Sequence, residues 1–321
     1  MLRTGFCELF DIEAPILQAA IWPAAAPELV AAVSEAGGLG SIGAVFGSSP
    51  QVSAQIRRVR ELTDGPFVVN HVVPLLDEEA FVATLEARPA GVSFALGDPG
   101  AELVDRVHAA GSKAIHQVHT ALQAREAAAQ GVDIVIAQGS DAGGQGMAAG
   151  AGTMALVPQV VDAVAPTPVL AAGGVGDGRG LAAALMLGAA GVNVGTRFLA
   201  SLEASASEAW KERILEVESE EVVRFEAWSA IMPPSEASYD VAPRVIRTEF
   251  VAEWERQPEE ARRQADRLQR EIMGSIRRGQ PHELTPFAGQ SAGLIRDVLP
   301  AAAIVRGMVR EAEAALERAA G

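Results

Sequence analysis

The chain has 321 residues, of which 49% are hydrophobic and 21% are charged. This length can bury a full core, so folding needs neither a disulfide nor a structural metal. Cys7 is the only cysteine, and the five histidines are too scattered to predict a metal site. The 26 basic and 41 acidic residues leave a net charge of −15, which argues against nucleic acid and anionic membranes as partners.

No addressing or anchoring segment is evident in the sequence. The N-terminus lacks the basic flank and apolar stretch of a signal peptide, and no apolar run reaches the roughly 20 residues of a membrane span. We therefore expect a cytoplasmic protein that acts on a small molecule. At about 150 residues per domain the length suggests two domains, although a single α/β barrel takes up about 250 residues by itself.

Eight short apolar runs alternate with longer stretches of helical pattern. The runs are Pro15–Ala20, Gly38–Ala44, Pro66–Val72, Gly91–Leu96, Lys113–Val118, Ile134–Gly139, Val169–Gly173 and Gly191–Phe198. Helices are predicted at Pro27–Ala36, Ala101–Ala110, Thr120–Gln130 and Gly180–Leu187, and each is followed by glycine or ends close to it. Strands that are apolar on both faces and alternate with helices predict a parallel sheet. A (β/α)8 barrel is favoured over a doubly wound sheet, because the first strand has no GxGxxG turn.

The composition changes after Leu202. Residues 203–285 are rich in Glu, Arg and Gln and predict helices at Ala204–Glu218, Arg244–Gln257 and Pro258–Arg278, with a loop at Trp228–Tyr239. The apolar pattern returns from Thr285 as a final helix. We therefore expect an α/β protein in which residues 1–202 and 286–321 form the (β/α)8 barrel. Residues 203–285 are then a helical insertion that caps the mouth, where Trp228 and Met232 either cover the ligand or pack in the insertion core.

The loops after the seventh and eighth strands carry the strongest functional signal. Gly173 and Gly174 follow one strand, and Gly195 and Thr196 follow the next. In (β/α)8 barrels these two loops form a phosphate site, and glycine allows the backbone to approach the anion closely. The sequence therefore predicts a phosphate-bearing ligand.

Uncharged amides stand at four other strand ends. They are Gln18, which is followed by Ala19, together with Asn70, Gln117 and Gln138. A ring of amides suits a planar, neutral ligand whose edge alternates hydrogen-bond donors and acceptors, such as an isoalloxazine. Beside a phosphate site, this ring predicts FMN.

These segments resemble the nitronate monooxygenase (2-nitropropane dioxygenase) family of FMN-dependent barrels, which is related to FMN-dependent enoyl-acyl-carrier-protein reductases and to some NAD(P)H:quinone reductases. The matching stretches are PILQAA, GGLGSIGA, AQGSDAGGQG, VLAAGGVGDGRGLAAALMLGAAGVNVGTRFLAS and AGQSAGLI, within residues 15–202 and 287–295. The resemblance implies that the FMN phosphate is held by Gly173, Gly174, Gly195 and Thr196. It implies further residues around the flavin, namely Gln18, Asn70, Gln117, Gln138, Gly143 and Gly144, with Gln290 and Ser291 supporting that end of the site.

The chain departs from the family at one position. Nitronate-oxidising members usually carry a histidine directly after AGG, where this chain has Gln145. Glutamine donates a hydrogen bond but exchanges no proton near neutral pH, so Gln145 cannot deprotonate a neutral nitroalkane. A nitronate is already anionic and needs no base. Hydride reduction of an enoyl thioester or a quinone needs only a donor to the carbonyl.

Two readings of the reaction therefore stay open, with Gln145 as the central catalytic candidate. The resemblance names oxidation of alkyl nitronates by O2 to carbonyl compounds and nitrite. The alternative is an NAD(P)H-dependent reductase of enoyl thioesters or quinones. His71 at the third strand end is a second catalytic candidate, which would take the place of the missing histidine. The expected assembly of the chain is a homodimer.

Overall fold

A computed structural model describes residues 2–45, 47–232 and 240–321. Its main sheet has eight parallel strands: β1 (Ile16–Gln18), β2 (Gly40–Gly43), β3 (Phe67–Val72), β4 (Gly91–Ala95), β5 (Lys113–Val118), β6 (Ile134–Gln138), β7 (Val169–Ala172) and β8 (Gly191–Val194). The strand order is β1-β8-β7-β6-β5-β4-β3-β2, and a parallel bridge between Leu17 and Leu39 joins its two ends. The sheet is therefore a (β/α)8 barrel, as the sequence predicted.

All eight predicted strands are present, with most differences confined to their ends. The largest is at the eighth, where the predicted run Gly191–Phe198 stops at Val194 and the chain turns into a short helix at Thr196. Short apolar runs do not distinguish a strand from a buried helical turn, which explains the overrun. Thr196 consequently lies at the start of a helix, directly after the strand end.

The helices that cover or follow the strands have the following bounds: α1 (Gly5–Phe10), α2 (Pro27–Glu35), α3 (Ser49–Leu62), α4 (Glu78–Ala87), α5 (Gly100–Ala109), α6 (Ala121–Ala129), α7 (Thr153–Val164), α8 (Gly178–Met186) and α9 (Thr196–Leu199). The four helices that the sequence predicted here are all present, within two residues at each end. Their apolar faces pack on the outside of the barrel, and α1 places Phe6 and Phe10 against residues of the barrel interior such as Ile115.

The segment after β8 contains α10 (Glu208–Glu216), β9 (Val222–Arg224), α11 (Trp228–Ile231), β10 (Arg244–Ile246), α12 (Glu249–Glu255), α13 (Pro258–Arg263) and α14 (Ala265–Arg277), followed by α15 (Ala301–Ala320). It is not wholly helical. The predicted helix Arg244–Gln257 was wrong at its start, because β10 pairs antiparallel with β9. Val245 and Ile246 are β-branched and fully buried in this small sheet.

The segment has a core of its own that continues onto the barrel. Phe225, Trp228 and Trp254 cluster with residues of α14 and also with Leu96, which follows β4. This segment, residues 203–285, is called the cap, and it packs onto the carboxyl ends of the strands. Among the helices of the described residues, none is long and apolar enough to span a bilayer. The predicted loop Trp228–Tyr239 is wrong at its start, where Trp228–Ile231 form α11, and residues 233–239 lie outside the described residues.

Candidate active site

A cavity of about 690 Å³ lies between the carboxyl ends of the barrel strands and the cap. The strands contribute inward-facing residues such as Asn70, Gln117 and Gln138, while the cap contributes Trp228 and Met232. In parallel barrels the strand ends and their loops carry the functional groups. Its volume lies in the range of pockets that bind cofactors and small substrates.

The predicted phosphate loops meet at one end of this cavity. Gly173, Gly174, Gly195 and Thr196 all line it. Gly174 has φ +72°, and a Cβ added there would meet only Asp141 Cβ at 3.7 Å, so the space beside it is open. The backbone N–H groups of Gly174 and Thr196 donate to no acceptor in the described part of the chain. Open space and free N–H donors together suit an anion such as phosphate.

Three of the four predicted amides form the polar wall of the cavity. Asn70 Nδ2 donates to Ser93 Oγ at 2.9 Å, and Gln117 Nε2 donates to Gln138 Oε1 at 2.6 Å. Gln138 Nε2 in turn donates to the carbonyl oxygen of Gln145 at 3.3 Å. These hydrogen bonds fix the orientation of each amide, and among the described residues the Gln117 oxygen accepts no hydrogen bond. Ala19, from the end of β1, also lines the cavity.

The structure does not bring two of the predicted residues to the cavity. Gln18 is fully buried; its Oε1 accepts from the Ser41 N–H at 3.0 Å, and its Nε2 donates to the Ala19 carbonyl. Gln290 is held by its backbone, which donates to the Asp141 carbonyl at 3.0 Å and accepts from Ser219 Oγ at 2.8 Å, and it lines a separate cavity. Both therefore act as structural supports. The neighbouring Ser291 does line the main cavity.

Gln145 lies on a loop that the cap holds in place. The loop pairs with β10, since the Gly144 N–H donates to the Arg244 carbonyl at 3.2 Å and the Gly144 carbonyl accepts from the Arg244 N–H at 2.9 Å. Arg244 Nε also donates to the Ser140 carbonyl at 2.8 Å. Gly143 is needed because a Cβ there would clash with the backbone of Ala288. The side chain of Gln145 is exposed and borders the cavity.

The structure does not bring His71, the second catalytic candidate, to the cavity. His71 lies within β3 and points outward, where its Nε2 is 3.1 Å from Thr84 Oγ1 and its ring packs edge-on against Phe81. Strand alternation, which sends Asn70 into the barrel, sends its neighbour to the helices. His119 is also buried outside the cavity, with Nδ1 3.2 Å from the Gln138 carbonyl.

Burial of these two histidines predicts a dependence of stability on pH. Desolvation lowers the pKa of His71 and that of His119 from 6.5 to about 4. Between pH 6.5 and pH 4 the unfolded chain therefore binds protons that the folded chain does not, so the free energy of unfolding falls as the pH falls. We expect a loss of about 3 kcal/mol per histidine across this range. Urea unfolding at several pH values should show this fall in the free energy of unfolding. The fall should be smaller in a His71→Gln variant.

Asn193 lines the cavity in the middle of β8 and was missed at the sequence level, because it stands within an apolar strand rather than at its end. Its side chain is buried, and its Oδ1 has no hydrogen-bond partner among the described residues. A buried acceptor without a partner is costly, and a ligand N–H would satisfy it. This acceptor, the amide wall and the open glycine loops fit a flavin mononucleotide.

Replacing Asn193 with leucine tests this fit. The substitution removes the unpaired acceptor, so the apoprotein should be no less stable than the wild type. One neutral hydrogen bond to the ligand would be lost, worth about 0.5–1.5 kcal/mol, so FMN should bind roughly 2- to 13-fold more weakly. Thermal unfolding with and without added FMN measures both quantities. An unchanged FMN-dependent rise in Tm would show that Asn193 does not contact the ligand.

The cap side of the cavity is largely apolar. Trp228, Met232, Met273 and Ile276 line it, and Trp228 also contacts Phe287 edge-on, with ring centroids 6.1 Å apart. Trp228 and Met232 therefore face the cavity and also pack in the cap core. Among the described residues that line the cavity there is no Asp, Glu, His, Cys or Tyr, so none offers a side chain that exchanges protons near neutral pH.

The fold and the site define a class of protein: a (β/α)8 barrel with open glycine loops after strands β7 and β8 and a neutral amide wall. The model of the nitronate monooxygenase family matches residues 3–83 and 80–311. The chain belongs to this family of oxidoreductases.

Known relatives differ in the activities for which they are named. The chain is 41% identical over 218 residues to the (3aS,4S,5R,7aS)-5-hydroxy-7a-methyl-1-oxo-octahydro-1H-indene-4-carboxyl-CoA dehydrogenase of Mycobacterium tuberculosis, covering 67% of this chain and 61% of that protein. It is 37% identical over 261 residues to a probable nitronate monooxygenase of Staphylococcus saprophyticus, covering 66% of this chain and 72% of that protein.

Solved structures resemble the chain over its whole length. FabK from Thermotoga maritima has a TM-score of 0.90 and 34% identity, with 100% of this chain and 99% of that chain covered. A nitroalkane oxidase from Streptomyces ansochromogenes has a TM-score of 0.84 and 26% identity, covering 98% of this chain and 99% of that chain.

Proposed function

We propose that this chain is an FMN-dependent reductase of a carbon–carbon double bond conjugated to a thioester carbonyl. The observation that carries the proposal is the cavity lining, which contains amides, backbone N–H groups and apolar side chains but no proton-transferring group among its described residues. The net reaction adds one hydride, taken from NAD(P)H, and one proton, taken from water, across the double bond. Such a reaction requires no side-chain base.

Each group of residues would have a separate role in this reaction. FMN, when bound, supplies a carrier for the hydride. The N–H groups of Gly174 and Thr196 would hold its phosphate, and Asn193 would accept a hydrogen bond from it. Gln145, exposed at the cavity, would donate from its side-chain amide to the thioester carbonyl and orient it. The apolar cap residues would exclude water from the acyl chain.

Two observations, one on a relative and one on the cavity, support a thioester. The Mycobacterium tuberculosis relative is named as a dehydrogenase of a carboxyl-CoA compound, and a CoA compound of this kind is a thioester. In addition, a largely apolar cavity of about 690 Å³ suits an acyl group better than it suits a small nitronate. We also propose that residues 203–285 act as the domain that covers the substrate.

Oxidation of a preformed alkyl nitronate is the second candidate. The family match and the Staphylococcus saprophyticus relative favour it. The anionic nitronate has already lost its α-proton, so a cavity without a base accommodates this reaction too. The donor amide of Gln145 would then bind a nitronate oxygen.

Parallel product analysis separates the two candidates. The purified flavoprotein is incubated without oxygen with NADH or NADPH and crotonyl-CoA, and butyryl-CoA is measured by mass spectrometry. A second sample receives propyl-2-nitronate in air, and nitrite is measured. We expect butyryl-CoA to form only when a reduced nicotinamide is present. Nitrite production without any butyryl-CoA would overturn the thioester proposal in favour of nitronate oxidation.

A further inference from the structure

Helix α14 presents one face to the cavity. Gln269, Met273, Ile276 and Arg277 line it, at the spacing i, i+4, i+7 and i+8 that places residues on one side of a helix. The face is apolar in the middle and ends in a cation, because Arg277 is the last residue of the helix and is exposed. A ligand that lies along α14 would therefore meet apolar side chains first and a positive charge at the solvent end.

Arg277 is the only charged side chain among the described residues that line the cavity. It makes no hydrogen bond or ion pair within the described ranges, whereas the next residue, Arg278, lies 3.9 Å from Glu283 and donates to Gln280. An unneutralised guanidinium at a cavity rim is a ready donor for an anionic group.

The FMN phosphate does not account for this cation. The loops that would hold that phosphate follow β7 and β8, where Gly174 and Thr196 offer free N–H groups. Helix α14 instead packs against α11, α13 and the turn Pro281–Glu283, all of which belong to the cap. Arg277 is thus part of the cap, and the anion it would meet belongs to a second ligand that enters the cavity beside the cap.

We propose that Arg277 binds the phosphate of a nucleotide-bearing ligand whose reactive end lies inside the cavity, and that this ligand is the CoA tail of the substrate. This inference rests on the proposed function. An acyl-pantetheine arm matches the apolar stretch formed by Met273 and Ile276, and the phosphates of CoA follow it towards solvent. The 2′-phosphate of NADPH has the same chemistry, so the experiment has to distinguish these two sources.

The test compares Arg277→Ala with Arg277→Lys and with Arg278→Ala, the adjacent exposed arginine that does not line the cavity. Binding of CoA itself to each flavoprotein is measured by calorimetry at low and high salt, which requires no turnover. We expect Arg277→Ala to weaken CoA binding about 5- to 10-fold at low salt and less at high salt. Arg277→Lys should recover part of the loss, and Arg278→Ala should match the wild type.

Turnover adds an independent measurement. For Arg277→Ala, the ratio of kcat/KM on crotonyl-CoA to kcat/KM on crotonyl-N-acetylcysteamine, which lacks phosphate, should fall by about the same factor as CoA affinity. Equal losses on the two thioesters, or equal effects at Arg277 and Arg278, would overturn the proposal. An altered preference for NADPH over NADH with unchanged CoA binding would assign Arg277 to the dinucleotide and also overturn it. If Arg277→Ala weakens CoA binding but the wild type reduces no thioester, the proposed function is refuted and the assignment of Arg277 to CoA stands.

Discussion

Replacing Gly174 with valine is expected to leave the barrel folded but without its flavin. The backbone at Gly174 has φ +72°, and the space beside it is open cavity, so the valine side chain would occupy the phosphate cradle. Loss of two hydrogen bonds to a charged phosphate, at about 1.5 kcal/mol or more each, predicts a fall in FMN affinity on the order of 100-fold or greater. The flavin absorbance of the purified variant, relative to its protein absorbance, measures the loss.

Gly111→Val provides the matched control. Gly111 has φ +83°, no atom lies within 4 Å of an added Cβ, and the residue does not line the cavity. Both variants therefore carry the same left-handed strain of about 1–2 kcal/mol, and only one intrudes on the site. The control should bind FMN normally and lose a similar amount of stability. Full flavin content in Gly174→Val would mean that the phosphate is held elsewhere.

Restoring a histidine at position 145 is expected to create a new activity. The wild type should not consume neutral nitroalkanes, because neither Gln145 nor any other described residue at the cavity accepts a proton. A histidine in the same place borders the cavity and can remove the α-proton, and a general base contributes roughly 10²- to 10⁴-fold to rate. The rate of nitrite formation by Gln145→His should rise with pH through about 6.5, since only the neutral imidazole acts as a base.

The pH–rate profile of the wild type is the necessary comparison. A base-like rise near pH 6.5 in the wild-type protein acting on neutral nitroalkane would contradict this account. His71 and His119 do not provide such a base, because burial lowers the pKa of each to about 4 and neither lines the cavity. A Gln145→Ala variant tests the other role of Gln145, which is to donate a hydrogen bond to the substrate carbonyl. Loss of this hydrogen bond should cost about 0.5–1.5 kcal/mol of transition-state stabilisation.

Much of the barrel, and the meeting of the glycine loops after its last two strands, was predictable from sequence, because both depend on local patterns. Apolar runs that alternate with helices specify a parallel barrel. In such a barrel the loops after the last two strands are neighbours at the carboxyl end, whatever the exact strand bounds. Gly174 and Thr196 could therefore be assigned to one end of the cavity before any coordinates. Strand register pairs Gln117 with Ile136, so Gln138 lies two residues further along on the same face of β6 and within hydrogen-bond distance of Gln117.

What could not be predicted depends on which way a side chain points and on pairing over long distances. Gln18 ends β1 and Asn70 lies near the end of β3, yet only Asn70 lines the cavity. The side-chain amide of Gln18 is bonded to backbone, because its oxygen accepts from the Ser41 N–H of β2 and its nitrogen donates to the Ala19 carbonyl. Asn193 gave no signal, since a single asparagine in an apolar strand is compatible with several structural roles. The β9–β10 pairing was missed because short β-branched segments in a charged region also fit a helix.

The measurement that tests the account most directly is identification of the cofactor that the purified wild-type protein releases on denaturation. One phosphate cradle and a cavity shared with the substrate predict FMN, at one molecule per chain, by mass spectrometry and absorbance of the supernatant. Release of FAD would contradict the single-phosphate site. A colourless protein that also fails to take up added FMN would contradict the whole reading of the cavity.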